Sequence, residues 1–84
     1  MSAIELIKTE IRLRAAQRGL YLHRYQSNGR HLYQPVVSYA LHSSQQKPRL
    51  SKHCDGVMCR FHMLEGRSEK CQAYKHLSNL LRSI

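Results

Sequence analysis

The sequence predicts an α+β fold of αβββα order: a three-stranded antiparallel sheet with two helices packed on one face. Three observations carry this. Apolar residues recur at helical spacing near both ends of the chain. Between them lie runs rich in aromatic and branched residues, or alternating apolar with polar. Gly19, Asn28-Gly29 and Glu65-Gly66 punctuate the chain where turns are needed. With 84 residues, the whole of 1–84 is read as a single domain.

The first helix is expected over about 3–18, because Ile4, Ile7, Ile11 and Ala15 fall on one stripe. Ser2-Ala3-Ile4-Glu5 reads as a capping box, the Ser2 hydroxyl accepting from a free backbone N–H while Glu5 reaches back. Gly19 supplies the left-handed exit. Leu6 and Leu13 lie on a different face from the isoleucines. Strands follow at about 20–27 and 31–41, and Asn28-Gly29 between them signals a tight hairpin turn. Pairing across that turn puts Leu20, Leu22, Tyr33, Val37, Tyr39 and Leu41 on the core face. Tyr21, His23, Tyr25 and Gln34 then share the other face, which two helices on one side leave open. Pro35 cannot donate to a ladder and suggests an edge position or a bulge. Residues 42–56 break every periodicity and read as a long polar loop. The third strand is expected over about 57–64, with Val57, Cys59, Phe61 and Met63 inward. Ser68 caps a last helix over about 68–83, whose apolar face is Ala73, Tyr74, Leu77, Leu80, Leu81 and Ile84.

Charge points to the class of partner. Fourteen Lys and Arg against five Asp and Glu give a net charge of +9. The excess is even, +4 over residues 1–42 and +5 over 43–84, so the domain itself is basic rather than carrying a basic tail. Such a surface repels itself and calls for a polyanion, either RNA or DNA or an acidic protein surface. A membrane is not expected, because no apolar run reaches the ~20 residues of a bilayer span. The opening residues MSAIELIKTE lack a basic n-region and an apolar h-region, so no signal peptide is read. Three cysteines without such a signal point to reduced thiols in the cytoplasm.

The candidate nucleic-acid contacts are Arg24, Arg30, His31, Lys47, Arg49, Lys52, Arg67 and Lys70. Tyr21, Tyr25 and Tyr33 interleave with the basic residues and offer rings on which bases can stack. Cys54, Cys59, His62 and Cys71 supply four ligands of the kind Zn²⁺ takes, but the spacing matches no zinc knuckle or ribbon. The four glycines are isolated at 19, 29, 56 and 66, so there is no phosphate-cradling loop, and no cofactor is expected. No Ser-His-Asp set is recognisable.

The αβββα order, Gly29-Arg30-His31 after the hairpin turn, and Gly66-Arg67-Ser68-Glu69-Lys70 opening the last helix resemble a double-stranded RNA-binding domain. The resemblance implies that His31 enters a minor groove while Lys70, with Arg67 nearby, meets phosphates across the major groove. Gly19 at the helix end and Gly29-Arg30-His31-Leu32-Tyr33 also resemble the signature of HicA-type toxins, which are small basic ribonucleases. That resemblance implies His31 as a catalytic acid or base.

The leading expectation is a non-enzymatic nucleic-acid-binding protein with a regulatory role. Its contact surface would combine the open sheet face, the 42–56 loop and the start of the last helix. The rival is a protein-binding inhibitor or adaptor from a virus or mobile element that blocks a host machine, with Leu6 and Leu13 as exposed anchors.

Overall fold

A computed structural model describes residues 2–28, 35–49 and 57–84. The order is a helix over Ala3–Ala16 (α1), strands over Tyr21–Asn28 (β1), Pro35–His42 (β2) and Met58–His62 (β3), and a helix over Glu69–Ser83 (α2). The expected α+β architecture is present, with strand order β1-β2-β3 and antiparallel pairing throughout.

The isoleucine stripe does what its spacing demands: Ile4, Ile11 and Ala15 are buried and Ile7 packs against them. The helix closes through Gly19 N–H to Ala16 O (3.0 Å) and Leu20 N–H to Ala15 O (2.9 Å). That pair of bonds requires a left-handed residue, and Gly19 has φ +71°. The expected capping box is not formed. Ser2 makes no side-chain cap bond, and its carbonyl instead accepts from Glu5 and Leu6 N–H at 3.1 and 3.2 Å. Glu5 lies 4.0 Å from Lys8 Nζ one turn on, a partner that competes with the reach back.

The two-residue hairpin is also corrected. Ser27 faces Val36 rather than Arg30, and Asn28 faces Pro35. This register sets Leu22 opposite Leu41, where the tight turn would have set it opposite Pro35. Leu41 is fully buried, so apolar pairing overrides the local turn signal. The slip is an even number of residues and leaves every side chain on its expected face. Pro35 opens the central strand rather than an edge, at a first position where a missing donor is tolerated. Gly29, Leu32, Tyr33 and Gln34 lie outside the described residues.

Both helices pack on the face bearing Leu22, Val37, Tyr39, Leu41 and Phe61. They run side by side in the same direction. Arg14 Nη1 donates to Leu81 O (3.3 Å) and Arg18 Nη2 to Ile84 O (2.7 Å) at one end, while Ile4 and Cys71 line one groove at the other. Ile11, Val37, Leu41, Leu77 and Leu80 are the largest fully buried side chains. Each contributes ~1.5–3 kcal/mol on burial. Phe61 stacks on His76 at 4.6 Å between centroids and on Tyr39 at 6.4 Å. Tyr74, expected on the apolar face, is exposed instead, beside that groove between the helix N-termini. Val57, expected inward, is likewise exposed. Ser68 caps α2 as expected, accepting from Cys71 N–H at 3.2 Å.

The face away from the helices is not open. Its central residues Ser38, Ala40 and His42 are 3%, 0% and 5% exposed. Residues 43–49 fold back along this face as a strap. His23 Nε2–H donates to Ser44 O (2.8 Å) and Tyr25 OH donates to Pro48 O (2.7 Å).

Candidate nucleic-acid interface

Alternation along the strands decides what each face presents. Away from the helices lie Tyr21, His23, Tyr25 and Ser27 of β1, Val36, Ser38, Ala40 and His42 of β2, and Met58, Arg60 and His62 of β3. The strap adds Lys47 and Arg49. Lys47 Nζ sits 4.8 Å from the centre of the Tyr25 ring, a cation–π contact that holds the ammonium over the sheet. Arg60 Nε reaches toward Ser38 Oγ at 3.5 Å while the residue stays exposed. His42 lies beneath the strap, its ring 6.0 Å from that of His23 and 6.3 Å from that of Tyr25. Among the described residues, His42 Nε2 is buried with no hydrogen-bond partner.

Among the described residues the acidic ones lie elsewhere, and Asp55 is outside those residues. The strands and the strap contain no Asp or Glu. Glu5 and Glu10 pair with Lys8 and Arg14 along α1. Glu69 takes Arg24 Nε and Nη2 at 2.6 and 2.8 Å in a two-pronged bond. Glu65 sits in the turn after β3. Charge is thus segregated. Ion pairs lie on the helical side, and the strap-covered side carries cations and imidazoles.

The expected contact residues separate accordingly. Lys47 and Arg49 lie on the strap. Lys70 lies on α2 and Arg67 just before it, so Lys70 is on the opposite side of the sheet from the strap. Arg24 faces the helices, and its guanidinium is engaged by Glu69 and by Gln26 Oε1 (2.8 Å). Bonding to Glu69 outweighs partial burial and raises the already high Arg24 pKa, while Arg24 holds the Glu69 carboxyl below its ordinary range. Arg30, His31 and Lys52 lie outside the described residues, so the implied His31 roles have no geometry here. Arg60, absent from the expected contacts, shares this face with Lys47 and Arg49. Its signal was available, since a basic residue at an outward position of an alternating strand faces the same side as Tyr25.

The four residues with metal-ligand chemistry, whose spacing matches no zinc knuckle or ribbon, do not assemble where they are described. Cys54 lies outside the described residues. Cys59 faces the core, and burial pushes its thiol pKa up, away from the thiolate a metal needs. His62 points to the other face, and Cys71 is exposed on α2. Among the described residues no three His, Cys, Asp or Glu come together to hold a metal ion. Nor, among them, is any helix long and apolar enough to cross a membrane. Leu6 and Leu13 are 57% and 59% exposed, two turns apart on α1.

No family model matches the chain, and neither the curated proteins nor the solved structures contain a match.

Proposed function

We propose that this is a small non-enzymatic nucleic-acid-binding protein that receives a phosphate backbone across the strap-covered sheet face. One observation carries the reading: that face holds Lys47, Arg49 and Arg60 with no acidic residue on its strands or strap. Cations not offset by acids in a domain of charge +9 are what a polyanion requires. Tyr21, exposed on the same side of the sheet, supplies a ring face for a base beside these cations. Reduced Cys59 and Cys71 suit the cytoplasm, where RNA and DNA are at hand.

The test is the salt dependence of binding to duplex and single-stranded probes by nuclease-treated protein. Log K should fall with log salt by ~0.9 per phosphate neutralised on duplex DNA and ~0.7 on single strands. Replacing Lys47, Arg49 and Arg60 together by Gln should flatten that slope by about two to three such increments. Replacing Lys75 and Arg82, on the outer side of α2, should change it far less. Salt-independent affinity, or equal losses from the two sets, would reject the reading.

A second reading rests on Leu6 and Leu13, whose exposure on one stripe of α1 suits a protein partner. An inhibitor or adaptor acting there would lose its partner on replacement of both by Asp, with the fold and the salt slope unchanged.

A further inference from the structure

We infer that the open edge of β1 is a second binding site, one that takes an extended acidic peptide as a fourth strand. This does not rest on the nucleic-acid reading, because the edge lies beside the strap-covered face rather than on it.

Hydrogen-bond direction identifies the free groups. Leu41 N–H donates to Val57 O and Met63 N–H to Pro35 O, so the odd-numbered residues of β2 bond toward β3. In an antiparallel ladder successive residues bond to opposite sides, so the even-numbered residues of β2 bond toward β1. Their partners are Tyr21, His23, Tyr25 and Ser27. Leu22, Arg24 and Gln26 therefore present N–H and C=O to the outer edge. No main-chain partner meets them there among the described residues.

Edges are normally protected by brevity, Lys, Pro or a bulge. β1 has none of these, and the protective feature it does carry, the inward-facing charge of Arg24, is neutralised by Glu69. It is eight residues long, contains neither Lys nor Pro, and pairs with β2 without interruption. A groove of about 400 Å³ runs along its first half. Arg12 and Ala16 of α1 wall one side and Gln45 of the strap the other, with residues 20–23 as the floor. A groove that exposes a strand edge between two walls fits an extended chain.

Charge decides the occupant. Arg12 has no ion-pair or hydrogen-bond partner among the described residues, and no acidic residue lines the groove. A second copy would bring another +9 chain and another Arg12 to the contact. A peptide strand carrying Asp or Glu would place its carboxylate on Arg12 while its main chain pairs with Leu22 and Arg24.

The experiment selects random octapeptides on the intact, nuclease-treated protein and measures a dye-labelled selected peptide by anisotropy. The expected set is enriched in Asp and Glu. Its affinity should fall about tenfold on Arg12→Glu and again when alternate peptide amides are N-methylated. Arg82→Glu makes the same charge change on α2 and should cost less than about twofold. Amide exchange at Leu22 and Arg24 should slow in the complex. Failure to select peptides, selection without acidic enrichment, or indifference to Arg12→Glu or to N-methylation overturns the inference. So does sedimentation showing that β1 pairs with a second copy, or a short RNA that displaces the peptide and protects the same amides.

Discussion

The Arg24–Glu69 pair ties β1 to the first turn of α2, with Tyr39 OH near the same carboxylate at 3.4 Å. Both side chains keep about a third of their surface exposed, so water screens the pair. Arg24→Gln is expected to cost about 1 kcal/mol at neutral pH, a figure already discounted for that exposure. The pH dependence follows from the lowered Glu69 pKa. Its contribution is complete above the unfolded carboxyl value near pH ~4.3 and disappears as pH falls through the lower folded value. The deficit of Arg24→Gln in urea melts should therefore shrink below pH ~4. A deficit that stays constant into the acid transition would detach it from Glu69. His42 sets the opposite expectation. A buried ring nitrogen left without a partner costs about 1–3 kcal/mol. His42→Leu should therefore leave stability unchanged or raise it by up to about 1 kcal/mol, as read by thermal melts. A clear loss would show that the ring is held by polar contacts the fold depends on.

The two helix starts make a matched experiment. Ser68 bonds Cys71 N–H, whereas Ser2 makes no cap bond. Ser68→Ala should cost ~1 kcal/mol and Ser2→Ala less than about half of that, by urea titration of each variant. Equal costs would mean that the Ser2 hydroxyl caps α1 in solution. Much at this scale was legible because periodicity is local. The Ile4, Ile11, Ala15 stripe and the alternation of Val37, Tyr39 and Leu41 each name a buried face without knowledge of the partner. Register was not legible, since it depends on Leu22 meeting Leu41 across the chain, and Asn28-Gly29 gives only a local turn preference. The strap escaped for a related reason. Residues 43–49 have no period, and single polar bonds from His23 and Tyr25 hold them down. Lys47 and Arg49 could therefore be named as candidates, but their separation from Lys70 by the sheet could not.

A chain of charge +9 stands against its own repulsion when it is free. On the helical side the ion pairs of Glu5, Glu10 and Glu69 offset part of that repulsion, while Arg12, Lys70, Lys75 and Arg82 have no ion pair among the described residues. On the strap-covered side no acidic residue offsets Lys47, Arg49 and Arg60 among the described residues. If a bound phosphate backbone is what balances them, they should destabilise the free protein and stabilise the complex. The Lys47, Arg49, Arg60→Gln variant should then melt higher than the native chain at low salt, by roughly 0.5–2 kcal/mol at the midpoint. Raising salt should bring the two together, because screening removes the same repulsion within a Debye length of ~8–10 Å. Lys47 provides the counterweight: its loss removes the contact over Tyr25, worth about 0.5–1 kcal/mol at an exposed site. A single Arg60→Gln change avoids that loss and should show the stabilisation most cleanly. Paired melts with and without a duplex probe separate the cases. Higher free stability with weaker binding marks cations kept for a ligand. Lower stability in both states would show that they hold the strap to the sheet, and the anionic partner would then have to be sought at Arg67 and Lys70.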